Sequence, residues 1–257
     1  MILLDPDARP VIGHRGNRAH APENTLPALL EAVAIGVDAL EFDVQVTRDG
    51  TLVLLHDRTL DRTTDGTGPL AARAYAELQA VDAGARFTPN GRDFPWRGRG
   101  VRVPRFDDVI EALPRDLPLI IELKTPLATQ ALSAAIARHG LRDRVLVAGF
   151  DPASTMPLRG GAFALGASRP DVARLLLPSL LRRRVARPWF RALCIPPSHW
   201  GIPVPIASIV RATRVHDVVT HVWTVNDPGH AQRLWRQGVH GIISDDPAQI
   251  LAARRGM

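Results

Sequence analysis

The feature that most constrains this chain is a rhythm. Short apolar, extended runs alternate with helical patterns along nearly all of its 257 residues, and several runs carry residues that an apolar setting does not tolerate alone. The second run, Leu40-Glu41-Phe42-Asp43-Val44-Gln45-Val46, shows this best. Successive strand side chains point to opposite faces, so Glu41 and Asp43 share one face and Phe42 and Val44 the other. Further along, Leu119-Ile120-Ile121-Glu122-Leu123-Lys124 sets an acid and an ammonium on one face in the same way. Buried carboxylates are costly unless they are paired or bind a metal. The two strands are therefore read as walls of one polar pocket holding a divalent cation.

The rhythm predicts strands from Val11 and over 39–47, 117–124, 144–150, 163–167, 192–195, 218–225 and 241–244. Helices are expected over 26–35, 105–113, 128–139, from 152, and over 170–184, 206–213, 228–237 and 247–254. Asn24 or Thr25 is the expected N-cap of the first helix, and Gly36 stops it. Residues 51–56 form a further extended run, an antiparallel partner or a continuation of the second strand. These are eight βα units, which argues for a parallel sheet. His14, Glu41, Asp43, His56, Glu122, Lys124, Trp223 and Asp245 all fall at C-terminal strand ends, spread over the whole chain. Only a closed barrel brings those ends to one mouth, so the expected fold is an α/β (β/α)8 TIM barrel. One domain over 1–257 is expected, with an insertion after strand 2 at about 57–104. A connection that long is usually functional.

Composition narrows the classes. At 46% hydrophobic residues the chain can build a large core. The one cysteine, Cys194, excludes an intrachain disulfide and a Cys-based zinc site. No run approaches the roughly 18 apolar residues of a membrane span, and the N-terminus lacks a signal pattern, so a cytoplasmic protein is expected. Net charge is +6, with 31 Arg and a single Lys, Lys124. A coding bias explains most of the arginine; attraction to anionic ligands is compatible with it. The solitary Lys stands out because it lies in an acid-bearing strand, where a compact ammonium differs chemically from a guanidinium fork. No Gly-x-Gly-x-x-Gly follows a strand, so a dinucleotide site is unsupported; nucleic acid is not an expected partner, and the oligomeric state is left open.

Glu41, Asp43 and Glu122 suit a hard cation with oxygen ligands, Mg²⁺ or Ca²⁺, with Mn²⁺ also compatible. The alternative is that they form structural ion pairs with Arg15 and Lys124. His14 and His56 each end an apolar run beside a charged neighbour, and two imidazoles near a metal-bound phosphate suit general acid and base work. Arg15 and Lys124 can hold phosphate oxygens. Trp223 would place an aromatic at the mouth against an apolar part of a substrate.

Taken together, His14-Arg15-Gly16, Pro22-Glu23-Asn24-Thr25, Glu41-x-Asp43, His56-Asp57 with Arg62-Thr63-Thr64-x-Gly66, Ile121-Glu122-Leu123-Lys124, Trp223-Thr224-Val225-Asn226 and Gly241-Ile242-Ile243-Ser244-Asp245-Asp246-Pro247 resemble the glycerophosphodiester phosphodiesterase family. The match runs in order from about residue 10 to 250. The resemblance implies a (β/α)8 barrel with a substrate-facing insertion and a metal on Glu41, Asp43 and Glu122. It further implies acid–base work by His14 and His56, and phosphate contacts from Arg15 and Lys124. The implied reaction is hydrolysis of a small glycerophosphodiester to sn-glycerol 3-phosphate and an alcohol. Alternatives are a lysophospholipase D or cyclising phospholipase at a membrane surface, and a non-catalytic barrel that binds phosphate or headgroups. The apolar-then-basic run 175–184, with Trp189 and Phe190, suits weak contact with an anionic membrane; a solvated basic face is the favoured reading.

Overall fold

The computed structural model describes residues 1–256. Eight parallel strands form its centre: β1 (Val11–His14), β2 (Ala39–Val46), β3 (Leu119–Leu123), β4 (Val145–Ala148), β5 (Ala164–Leu165), β6 (Ala192–Ile195), β7 (Val219–Val222) and β8 (Gly241–Ser244). Neighbours pair in chain order, and β8 returns to pair with β1. The ring closes between β5 and β6 through a short parallel bridge, Gly166 to Ala192, where the Ala167 and Arg191 amides donate to Ala192 and Leu165. This is the expected TIM barrel. The run after β2 is antiparallel: Leu52–Leu54 pairs with Val44 to Val46, which turns the chain back toward the mouth.

The pleat sorts each strand into two populations. Leu40, Phe42, Val44, Leu119, Ile121 and Leu123 face outward into the packing with the helices. Ala39, Ile120, Leu146, Ala192, Val219 and Ile243 fill the barrel interior with Leu3 of the N-terminal turn. Leu3 also accepts a hydrogen bond from the buried His221 at 2.9 Å, which plugs the N-terminal end of the barrel. Burial holds the pKa of that imidazole down, at about 4, so it remains neutral there. Above this layer the interior turns polar, with Glu41, Asp43 and Glu122 on the inward side of β2 and β3.

Some elements are shorter than their periodicity predicts. β5 keeps only two residues of the expected run 163–167. The helix expected over 170–184 spans Arg169–Leu180, and the Arg182 that follows is left-handed at φ 52°. Arg182, Arg183 and Arg184 therefore sit at the C-terminal end of a helix that starts at the mouth, so they lie on the barrel's opposite end. The inserted segment packs a small apolar cluster of its own, with Leu60, Leu70, Leu78 and Val103, against Val53 and Leu55. No described helix is long and apolar enough to cross a membrane.

Phe42 is fully buried and meets Phe106 edge-on at 6.2 Å, locking β2 to the helix Phe106–Ala112. Phe42→Ala should cost about 3–5 kcal/mol in urea denaturation. A cost under about 1 kcal/mol would mean that β2 is not fixed by this contact.

Candidate active site

β1 ends in His14, and the chain then turns sharply. Arg15 and Gly16 both take left-handed conformations, φ 53° and 90°. Gly16 is required here, since a Cβ would lie 2.4 Å from the Ala28 carbonyl carbon. The turn aims the Arg15 backbone amide at the Glu41 side chain, 3.2 Å away, and its guanidinium at Asp43 and Glu23. The Nε of Arg15 is a charge contact to Asp43 at 3.0 Å, and its N–H is not aligned on the oxygen. Asn24 is a second left-handed residue, φ 58°, a conformation that asparagine tolerates better than most. Its side chain accepts from the Asp43 amide and donates to Asp43 Oδ2 at 2.9 Å. The helix N-cap is thus Thr25, without a side-chain capping bond, while Asn24 serves the acid instead.

Strand register brings the acids together. Asp43 lies opposite Glu122, and the two share the inward face with Glu41. One oxygen from each of Glu41, Asp43 and Glu122 lies within 4.8 Å of the others. Lys124 Nζ sits 2.6 Å from Glu122 and 3.5 Å from Asp43. The ion pairs weighed as the alternative are therefore present. They do not complete the site: Asp43 Oδ1 is buried with no hydrogen-bond partner, and Arg15 is shared with Glu23. Burial, then repulsion from Asp43 and Glu122, pushes Glu41 well above the carboxylate range. Burial and Asp43 push Glu122 up to about 7. Burial also works against ionised Asp43, but Arg15 and Lys124 hold it below its ordinary value. Three crowded acids, an orphaned buried oxygen and a cleft of about 40 Å³ fit one divalent cation.

His14, His56, Arg15, Glu41, Glu122, Lys124 and Trp223 line that one cleft, so the structure brings the expected residues together, with Asp43 at its base. The imidazoles share a design. His14 Nδ1 is 2.6 Å from Asp245, and His56 Nδ1 is 2.5 Å from Asp57. Asp245 and Asp57 are both held below their ordinary pKa, in each case against burial, Asp245 by His14 and Asp57 by Arg62 and His56. An ionised carboxylate only accepts, so each Nδ1–H is the donor, which leaves Nε2 as the working nitrogen. Burial lowers the His56 pKa. Gln45 fixes the His56 loop by donating to the Leu55 and Asp57 carbonyls. The sequence places Asp245 at the mouth and Asp57 beside His56 without giving either a role, and it misses what Gln45, Asn24 and Glu23 do there, the last held by Arg15, Arg18 and Arg62.

Burial and mutual repulsion raise the Glu41 pKa and bring that of Glu122 to about 7, so a cation competes with protons for these acids. The thermal shift produced by a divalent cation should therefore grow as pH rises from about 6 to about 8. A shift independent of pH would remove these two acids from the ligand set.

The model of the glycerophosphoryl diester phosphodiesterase family matches residues 14–156 and 184–249. A glycerophosphodiester phosphodiesterase of Caldanaerobacter subterraneus is 31% identical over 252 residues, 94% of this chain and 96% of its own length. A phosphodiesterase of Oleispira antarctica, solved with the product sn-glycerol-3-phosphate, superposes with a TM-score of 0.78 at 27% identity, over 96% and 97% of the two chains. The glycerophosphoryl diester phosphodiesterase domain of a Mycobacterium tuberculosis protein has the same fold, with a TM-score of 0.84 at 23% identity over 98% and 100%. With the family model covering well over half of the sequence, the chain belongs to the glycerophosphoryl diester phosphodiesterase family.

Proposed function

We propose that this chain is a divalent-metal-dependent phosphodiesterase that hydrolyses glycerophosphodiesters to sn-glycerol 3-phosphate and an alcohol. The observation that carries the proposal is the pair of carboxylate-held imidazoles facing one cleft that is floored by three acids. The product-bound Oleispira relative supports the same chemistry. Glu41, Asp43 and Glu122 would hold the cation, and their all-oxygen donor set suits Mg²⁺ or Ca²⁺, with Mn²⁺ also compatible. When bound, the ion supplies Lewis-acid stabilisation of charge on the phosphoryl oxygens.

The protein's own groups do the rest. Arg15 and Lys124 bring positive charge to the cleft for the phosphate. One imidazole takes the proton of the attacking hydroxyl at Nε2, and the other gives a proton to the departing alkoxide. Asp245 and Asp57 hold each ring in the tautomer this requires. Trp223, tilted on Phe150 at 5.5 Å, walls one side against water.

Release of glycerol 3-phosphate from glycerophosphocholine should stop with EDTA and return with Mg²⁺, Ca²⁺ or Mn²⁺. His14→Ala and His56→Ala should each lower kcat by about 10²-fold or more with the melting temperature unchanged. Asp245→Asn should lower it by about 10- to 100-fold. Wild-type turnover in either histidine variant would sink the assignment.

A further inference from the structure

Glu23 does not line the catalytic cleft, and its side chain is only 8% exposed. Four N–H groups from three arginines converge on its carboxylate. Oε1 accepts from Nη1 of Arg15 and from Nη2 of Arg62, each at 2.7 Å. Oε2 accepts from Nε of Arg18 and from Nη1 of Arg62, each at 2.9 Å. Each oxygen thus has two donors, which uses its lone pairs in full. Burial works against the charge, but the hydrogen bonds of Arg62 and the charges of Arg15, Arg62 and Arg18 hold the Glu23 pKa far below the carboxylate range. A carboxylate so engaged has no lone pair left for a metal or for proton transfer. Its role lies in what its partners hold.

Two of those partners lead to the imidazoles. Arg62 also donates from Nε to Oδ2 of Asp57, whose Oδ1 faces Nδ1 of His56. Arg18 also donates from Nη1 to Oδ2 of Asp245 at 3.1 Å, and Oδ1 of Asp245 faces Nδ1 of His14. The two arms follow one pattern: a guanidinium holds one oxygen of an aspartate, and the other oxygen receives the ring. A planar, always charged fork fixes a carboxylate in direction as well as in place. The arms come from distant parts of the chain, since Asp57 opens the insertion and Asp245 follows β8. Glu23 joins them from the loop between β1 and the helix Leu26–Ile35. That loop is itself held, by the Ala19 amide on the Asp245 carbonyl at 2.9 Å and the Thr25 hydroxyl on the Pro22 carbonyl at 2.6 Å.

We propose that Glu23 is a positioning residue for both imidazoles at once: it holds Arg18 and Arg62, which hold the two aspartates that orient His14 and His56. The inference rests on the proposed phosphodiesterase reading and adds a residue that serves its reaction from outside the cleft. The acid and the base flank one phosphate and must be placed relative to each other as well as to the substrate. One junction between the two arms sets that relation.

Two diesters separate positioning from support of the fold. Glycerophosphocholine releases an alkoxide that needs a proton, so it needs both imidazoles. The p-nitrophenyl ester of glycerol 3-phosphate releases a nitrophenolate that leaves without one, so it needs the base alone. Glu23→Gln keeps the length of the side chain and removes its charge. It should lower kcat on glycerophosphocholine by about 10- to 100-fold, and on the nitrophenyl diester by a factor at least about threefold smaller. Arg18→Ala and Arg62→Ala each cut one arm at a partly exposed side chain, and they decide the matter even where Glu23→Gln fails to fold. Each should lower glycerophosphocholine turnover by about tenfold, and the one on the acid's arm should lose at least about threefold less on the nitrophenyl diester. Glycerophosphocholine turnover within about twofold of wild type in Glu23→Gln, or equal losses on both diesters in the folded variants, overturns the positioning role and leaves the phosphodiesterase reading standing. No turnover of either diester by the metal-loaded wild type overturns both.

Discussion

Mutual repulsion among Glu41, Asp43 and Glu122 is the constraint around which the mouth of this barrel is arranged. Unit charges about 4 Å apart repel by roughly 4 kcal/mol at an effective dielectric of about 20. Three such acids within 4.8 Å cannot all ionise without help. Each nearby group meets part of that demand: Lys124 lies on Glu122, Arg15 lies on Asp43, and the Asn24 amide and the Arg15 backbone donate to the same cluster. The help carries its own conformational cost. Arg15 and Asn24 are held in left-handed backbone conformations, where most residues are strained, and the surrounding barrel must over-determine them. What the protein leaves uncompensated, seen in the raised pKa values of Glu41 and Glu122 and in an orphaned Asp43 oxygen, is the electrostatic room for a cation.

The barrel supplies rigidity through its division into layers. Leu3 and His221 close the N-terminal end, an apolar layer fills the middle, and the acids Glu41, Asp43 and Glu122 lie toward the C-terminal end. At that end the two imidazoles are set from opposite directions. His14 ends β1, while His56 is carried back by the antiparallel turn after β2. Each ring is braced by an aspartate from a loop, which fixes its tautomer. The far side of the mouth, built on β4 to β7, has little of this polarity. Phe150 and Trp223 form a partition there, with charge on one side and hydrocarbon on the other.

Much of this was legible in the sequence. A two-residue period is local, so the shared face of Glu41 and Asp43, and of Glu122 and Lys124, follows from the pleat alone. The scatter of polar strand ends over the whole chain then requires closure. Element ends were less legible. The run 163–167 has strand composition, yet only Ala164 and Leu165 pair fully, because β5 meets its second neighbour through a bridge. The basic run 182–184 reads as a continuation of the helix before it, whereas the left-handed Arg182 ends that helix. Local pattern leaves the first helix's N-cap to Asn24 or Thr25; Thr25 takes it, and the service of Asn24 to Asp43 needs β2 alongside.

The sequence by itself determined the alternation of elements, the faces of the strands and the residue types available at the mouth, because these depend on neighbours a few positions away. Only the tertiary structure decided which groups touch. His14 meets Asp245 across 231 residues of chain, and that pairing exists only because β8 closes the ring against β1. The same closure sets Asp43 opposite Glu122, raises two acids and holds a third down, and leaves an apolar chamber beside a charged cleft. Distances of this kind are fixed by long-range register and packing, and no local period in the chain encodes them.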